Sequence, residues 1–420
     1  MLKLESAGAT EWRRYWKVPA AAGLGYSISV IHVYSLGAFM EPLQNEFGWS
    51  RAEASLGLTI VGMASAIAAL PVGLLVDRLG PRRVGLTGVT LMAVAFALLS
   101  TATGAMSNWI LLWALISFAS FWVQTTVWTS AVASRFESSR GLAFAVTLSG
   151  GSLAAAVFPP LATTFIGEFG WRGAFLGLGA MWGVLVIVVV YVCFHSAHND
   201  LPEIGAPAAT VDEVSKPELP GVTLRDGLTS ATFYKLLIAA GLFAFTTLGV
   251  VVHLVPILRD AGAEPLAAAG TASLVGIFSI IGRLGVGVLL DRFSGRVVGA
   301  CAYLVPIGGA TLLLVDGANP VSQTAAAALF GLTLGAEVDV IAYLASRHFG
   351  LRSFGGLFGG MVGALSLGTA FGPLAAGAAS DRFGGYGTFL GLTIVLMAMS
   401  SLLLASLKEA PDWAASTQPR

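Results

Sequence analysis

The sequence predicts an all-α membrane protein with twelve transmembrane helices in two pseudo-symmetric six-helix bundles. Hydrophobic residues make up 56% of the chain and charged residues only 11%, and mean hydropathy is +0.81. A soluble domain has about 25% charged residues, so this composition excludes a soluble globular protein. The third observation is a segment near residue 77 that occurs a second time near residue 291.

The repeated segment divides the chain into two related halves. Residues 73–84 and 287–298 share the pattern Gly-x-x-x-Asp-Arg, and the same register aligns Pro42 with Pro256 upstream. An internal repeat determines architecture before any local assignment. In a membrane protein of this length, such a duplication predicts a transporter made of two helix bundles, with the binding site between them.

Twelve apolar runs account for the predicted helices, most of them longer than the roughly 20 residues that cross a bilayer. The predicted spans are 18–40, 52–76, 84–103, 108–133, 141–166, 173–194, 232–258, 265–290, 297–315, 321–346, 354–380 and 387–407. We expect a cytoplasmic amphipathic segment at 1–17, bundles at 18–194 and 232–407, a cytoplasmic linker at 195–231 and a tail at 408–420. The linker is rich in Pro, Ala and acidic residues, with a short surface helix expected within 222–230.

The distribution of basic residues predicts the orientation. With both termini in the cytoplasm, the outer loops contain only Arg51, Arg172, Arg259 and Arg382, as the positive-inside rule requires. We therefore expect a multi-pass protein of the plasma or inner membrane, without a cleavable signal peptide. The net charge of +0 gives no basic surface for nucleic acid, and the two cysteines fall in apolar runs, which favours packing roles over a disulfide.

The loop after span 2 resembles the signature loop of the major facilitator superfamily, and the degenerate copy after span 8 is also typical of that family. Residues 39–51, 170–172 and 343–352 resemble its monocarboxylate and oxalate/formate branch. In that branch an arginine of span 8 receives the substrate carboxylate, and Arg283 matches this position. Ser279 stands where some members have an aspartate, so their coupling chemistry does not carry over.

The physical chemistry of the sequence, apart from any resemblance, also makes Arg283 the first candidate for substrate binding. Burying arginine in a bilayer costs about 2.5–3.5 kcal/mol on insertion scales, so its side chain should face a cavity or a partner. A planar guanidinium suits bidentate carboxylate binding; the alternative is a permanent ion pair with an acid of span 10. The further candidates for substrate contact are Gln124, Trp128, Tyr343 and His32. The alternative is packing alone for the aromatic face of span 4, and a hydrogen bond to a neighbouring helix for His32.

Glu337, Asp339 and His253 are the candidates for proton coupling. The two acids lie deep in span 10, at a depth similar to that of Arg283, and point about 200° apart. One acid is expected to neutralise Arg283 in the empty carrier while the other binds a proton. The alternative is that both acids are structural.

A cytoplasmic cluster of charged residues is expected to act as a gate. Its members are Asp77, Arg78, Arg82, Glu137 and Arg140. In the family, the loop aspartate caps span 11 while the carrier is open to the outside. The alternative is that these charges only set the membrane orientation by the positive-inside rule, which explains the arginines but not Asp77.

Together these features predict a secondary transporter that moves a small organic anion, a monocarboxylate, by alternating access with protons. We expect a monomer in the lipid bilayer, with no cofactor and no metal. One alternative is a proton-coupled exporter of drugs or other apolar compounds, and another is a non-transporting metabolite sensor. An enzyme is not expected, because the sequence contains no nucleophile–base pair, metal cluster or cofactor motif.

Overall fold

The computed structural model describes residues 2–136, 138–195, 221–350 and 352–411, with only the backbone for residues 2–7, 66–75, 77 and 291. Within those ranges the chain is helical apart from its connections and one isolated β-bridge between Gly221 and Gly350. The N half contains α1 (Leu2–Tyr15), α2 (Lys17–Ser29), α3 (Ile31–Phe47), α4 (Arg51–Leu79), α5 (Pro81–Leu98), a 3-10 turn (Leu99–Thr101), α6 (Met106–Phe121), α7 (Thr125–Ala133) and α8 (Arg140–Cys193).

The C half repeats this plan after the predicted linker. Its helices are α9 (Leu224–Thr229), α10 (Ala231–Val252), α11 (Leu254–Asp260), α12 (Pro265–Arg292), α13 (Gly295–Asp316), α14 (Pro320–Phe349), α15 (Phe354–Phe383) and α16 (Gly387–Ala405). Helix α9 lies within the range 222–230 in which a short helix was expected. Most of the predicted linker lies outside the described residues.

Ten helices of the described chain are long and apolar enough to cross a membrane. One of them, α8, is two helices that meet at Gly170, where φ is 66°, a left-handed conformation that favours glycine. Helix α4 adds a further segment of 29 residues. The all-α membrane fold predicted from the sequence is therefore confirmed, and twelve crossings result if each of these segments spans the bilayer.

Three predicted spans contain a break in their helix. Span 1 is interrupted at Val30, between α2 and α3, and span 4 at 122–124, between α6 and α7. These two breaks meet, because the Ser29 hydroxyl donates to the Val123 carbonyl at 2.7 Å. Span 7 is interrupted at His253. Broken helices in membrane proteins commonly lie at binding sites and hinges.

The two faces of the molecule are named by the chain ends. On the terminal face, the Glu11 carboxylate of α1 accepts hydrogen bonds from the backbone N–H groups of Ser138 and Ser139, before α8. The segment after α16 is held there by cations of three helices. These contacts run from Lys235 Nζ to the Ser406 carbonyl (2.9 Å), from Arg296 Nη1 to Leu407 (3.4 Å) and from His348 Nε2 to Lys408 (3.1 Å). The opposite face is the distal face.

Candidate functional site

Arg283 and Asp339 lie together near the middle of the C half. Arg283 Nε is 3.5 Å from Asp339 Oδ2 and donates to the Gly335 carbonyl at 3.2 Å. Helices α12 and α14 approach so closely here that a Cβ at Gly335 would overlap the Ser279 carbonyl oxygen. The glycine therefore brings the Arg283 side chain against α14. The structure thus places one acid of span 10 beside Arg283, as the spacing suggested.

The guanidinium of Arg283 is not fully satisfied by these contacts. Its Nη1 atom is buried and has no hydrogen-bond partner among the described residues. A guanidinium has five N–H donors in a fixed fork, and a buried donor without a partner costs about 1–3 kcal/mol. The arrangement has unused capacity for an acceptor of planar, bidentate geometry.

Glu337 lies on another side of α14 and is nearly buried, at 7% exposure. The structure describes no hydrogen bond or ion pair for its carboxyl group. It lies within electrostatic range of the hydroxyl groups of Tyr303, which is fully buried, and Tyr34. An unpaired ionised carboxylate is costly at such a position, so a neutral, protonated carboxyl suits it better.

Tyr34 of α3 is a residue of the N half that interacts electrostatically with this site. Its hydroxyl interacts electrostatically with both Glu337 and Arg283, and its side chain is partly exposed. The sequence analysis singled out His32 in span 1 and missed Tyr34, although an aromatic hydroxyl within a span is a recognisable polar signal.

His32 and Trp128 both lie inside the N half. His32 is 4% exposed and packs edge-on against Trp113, with ring centroids 5.9 Å apart. Trp128 is fully buried and its Nε1 donates to the Val123 carbonyl at 3.0 Å. Neither contact involves Arg283, so the structure gives the predicted substrate contacts of these two residues no support.

Gln124 and Tyr343 occupy two further places. Gln124 is the partly exposed residue that precedes α7, at the break in span 4. Tyr343 packs against Gly295 and lines a cavity of about 320 Å³ on the terminal face, beside Arg296 and Arg347. The Tyr343 ring therefore packs on α13, and its contact with substrate remains a prediction.

The described members of the predicted gate make contacts within the N half. Arg82 Nη2 donates to the Tyr191 carbonyl at 2.6 Å, and Arg140 Nε donates to the Phe136 carbonyl at 2.9 Å. Arg78 is exposed. Glu137 and the side chain of Asp77 lie outside the described residues, so the gate remains a prediction.

His253 lies at the distal interface of the two halves and is fully buried. Its Nε2 is 2.9 Å from the Pro373 carbonyl and 3.1 Å from Ser55 Oγ of the N half, and its Nδ1 is 2.7 Å from the Tyr386 hydroxyl. A carbonyl only accepts, so Nε2 carries the proton and Nδ1 accepts from Tyr386. Burial raises the pKa of Tyr386, which keeps that donor protonated.

Charged pairs close the same distal interface. Arg51 of the N half donates to both carboxylate oxygens of Asp260, at 2.6 and 2.7 Å. Arg259 donates to both oxygens of Glu41 at 3.1 Å, and the Glu41 carboxylate raises the pKa of Arg259 further. These pairs hold α11 of the C half against α3 and α4.

Two hydroxyl contacts continue the interface towards the site. Thr59 Oγ1 donates to the Ala370 carbonyl at 2.7 Å, between α4 and α15. Ser279 Oγ donates to Ser152 Oγ at 2.6 Å, one turn from Arg283. These hydrogen bonds and ion pairs join the two halves from the distal face to the level of Ser279. The structure is therefore closed on its distal side.

Comparison with known proteins agrees with this architecture. The profile of the Major Facilitator Superfamily matches residues 22–359. Monocarboxylate transporter 13 of Bos taurus is 31% identical over 321 residues, which are 76% of this chain and 70% of that protein. The uncharacterized MFS-type transporter YhjX of Escherichia coli (strain K12) is 21% identical over 332 residues, 78% of this chain and 79% of that protein.

A solved structure shares the fold. It is a bacterial homolog of the human lysosomal transporter Spinster, in an inward-facing and unoccupied conformation. It has a TM-score of 0.69 and 16% sequence identity, and the match covers 92% of this chain and 95% of that one. The family resemblance inferred from the signature loop is confirmed: the chain belongs to the Major Facilitator Superfamily and is a multi-pass membrane transporter, not an enzyme.

Proposed function

We propose that this transporter carries a small monocarboxylate, with Arg283 as the residue that receives the carboxylate. The observation that supports this most directly is the buried Nη1 of Arg283, which lacks a partner among the described residues. A carboxylate could accept from Nη1 and a second guanidinium donor at once. The name of the Bos taurus relative points to the same substrate class.

Tyr34 and Asp339 complete the proposed binding step. Asp339 is 3.5 Å from Arg283, longer than a charge-assisted hydrogen bond of about 2.7–2.9 Å, and is partly exposed. A substrate carboxylate would therefore displace this weak internal partner. The same substrate could accept from the hydroxyl of Tyr34, which belongs to the other half, and so favour closure of the two halves over it.

We further propose Glu337 as the proton-coupling residue. Its carboxyl is nearly buried and the structure describes no charged partner for it, whereas Asp339 neighbours Arg283. Proton loading of Glu337 removes the cost of a buried, unpaired charge when the cavity closes. In this scheme the distal face is extracellular, the termini are cytoplasmic, and the distal contacts are those of a carrier closed to the outside.

Thermal unfolding of the purified protein with a ligand panel tests the substrate class. The panel contains mono-, di- and tricarboxylates, cationic drugs and sugars at pH 5.5 and 7.5, for the wild type and Arg283→Gln. A ligand at about 100 times its dissociation constant adds roughly 2.7 kcal/mol. We expect monocarboxylates to stabilise the wild type only. Stabilisation by cationic or apolar drugs, equal in both proteins, would contradict the proposal and favour the exporter.

A further inference from the structure

The signature pattern of the sequence occurs a third time, again at the C-terminal end of a helix but at the opposite face of the molecule. Gly377-Ala-Ala-Ser-Asp381-Arg382-Phe-Gly384 matches the Gly-x-x-x-Asp-Arg-x-Gly of residues 73–80. The earlier copy forms the terminal-face end of α4, whereas this copy forms the distal-face end of α15. The described structure shows where the aspartate of the third copy goes.

Asp381 caps a helix of the other half. Its Oδ1 accepts from the backbone N–H of Arg51, and its Oδ2 accepts from that of Ala52, both at 2.9 Å. The next N–H of α4, that of Glu53, bonds within the N half to Ser50 Oγ at 3.1 Å. The first N–H groups of a helix have no partner inside it, so two of those in α4 are satisfied by the C half.

The contact depends on a close approach of the two helices. A Cβ at Gly377 would lie 2.7 Å from the backbone nitrogen of Ala52, which leaves no space for a methyl group. The Arg51 side chain reaches Asp260 and also Ser380 Oγ at 3.1 Å. One turn of α4 is thus held by two segments of the C half, through its backbone and its side chain together.

We propose that Asp381 positions the two halves for transport by holding the distal side closed. We use the term distal latch for the five residues that make these contacts, which are Arg51, Ala52, Asp260, Ser380 and Asp381. Opening the distal side takes the Asp381 carboxylate away from two N–H groups of α4 and from the positive end of its dipole, and leaves that turn with only its own Ser50–Glu53 capping box. The Asp381 cap on α4 can form only while the distal side is closed, so it stabilises the closed state. This holds whichever solute is carried.

Thiol labelling from the distal side tests the latch. The reporter is Thr59→Cys, at a position 5% exposed in the closed interface, in a protein with Cys193 and Cys301 replaced by Ser. A membrane-impermeant maleimide is added to the purified, correctly oriented protein in liposomes. We expect Asp381→Asn to raise the labelling rate roughly two- to tenfold, because the amide keeps one acceptor oxygen, turns an NH2 group towards the second N–H and removes the charge at the helix N-terminus.

Two further variants make the result specific. Glu53→Gln changes a carboxylate on the same turn whose hydrogen bond, to the Ser50 N–H, stays within the N half, so it should leave labelling unchanged. Gly377→Ala should raise labelling as Asp381→Asn does, because it separates α15 from α4 without removing a charge. Unchanged labelling in both Asp381→Asn and Gly377→Ala, or an equal rise in Glu53→Gln, would overturn the proposal. The readout needs no substrate, so it is independent of the proposed anion.

Discussion

Arg51 and Arg283 are two largely buried arginines that differ in how many of their guanidinium donors have an acceptor. The side chain of Arg51 is 18% exposed and that of Arg283 is 23% exposed. Arg51 makes a bidentate pair at 2.6 and 2.7 Å, whereas Arg283 has an acid at 3.5 Å and a buried nitrogen without a partner in the described structure. Similar burial is therefore combined with saturated donors at one position and unsaturated donors at the other.

The difference indicates how the two residues divide the work of transport. An arginine with four of its five donors used, as at Arg51, stabilises one arrangement of the two halves and has little capacity left for a solute. An unsaturated one raises the free energy of the empty carrier and recovers it when an anion binds. In the proposed mechanism the distal interface closes the carrier, and Arg283 in the centre of the C half binds the anion.

The largest expected effect is at the saturated arginine. Arg51→Ala removes hydrogen bonds to a charged group, worth about 1.5–3 kcal/mol, and should raise distal-side labelling at Thr59→Cys roughly ten- to hundredfold. The matched control is Arg172→Ala, because Arg172 pairs with Glu46 of its own half at 2.7 Å on the same face. A similar rise in that control would show that the labelling rate responds to the loss of any positive charge on the distal face, and not to the loss of a contact between the two halves.

At the unsaturated arginine, geometry should matter more than charge. Arg283→Lys keeps a cation but loses the planar fork, so we expect affinity for a stabilising monocarboxylate to fall about tenfold. Isothermal titration of the purified protein measures this, and distal-side labelling should remain that of the wild type. Undiminished affinity in the lysine variant would mean that Arg283 acts as a point charge only.

Removing the internal competitor should strengthen binding. Asp339→Asn leaves Arg283 without a charged neighbour, so the apparent affinity for a monocarboxylate should rise roughly three- to fivefold, since a competing state is destabilised. Glu337→Gln serves as the comparison, because that residue is not paired with Arg283, and should leave affinity at a fixed pH unimproved. Weaker binding in Asp339→Asn would instead make the aspartate part of the binding surface.

The smallest expected effect is at the second distal pair. The Arg259 and Glu41 side chains are 29% and 55% exposed, and exposed pairs contribute about 0–1 kcal/mol. Arg259→Gln should therefore change distal-side labelling by about threefold or less, and any change should disappear in 1 M salt. A shift as large as that of Arg51→Ala would mean that the two pairs act as one unit.

Much of the fold could be predicted because it depends on composition and repetition. Apolar length predicts the spans, the duplicated loop predicts two halves, and a constant rise per residue brought Arg283 and Asp339 to one depth. The angle between Glu337 and Asp339 likewise anticipated that only one of them could neighbour Arg283.

Contacts between the halves were beyond sequence reasoning. Arg51 was read as a loop charge, yet it lies between two segments of the C half that are far away in sequence. Tyr34 was missed because its partners, Arg283 and Glu337, come from the other half. Trp128 is buried and packs near Phe194 within the N half, and its predicted contact with substrate remains a prediction. The roles of the gate residues and of His253 in coupling remain predictions.

The cations beneath the end of α16 have a practical consequence. Three successive carbonyl groups, at residues 406 to 408, accept from Lys235, Arg296 and His348 on three different helices. A fluorophore attached at Ala410 would therefore start from a point tied to α10, α13 and α14. Its orientation should follow the rotation of the C half as a rigid body. This position is therefore suitable for single-molecule fluorescence measurements of the transport cycle.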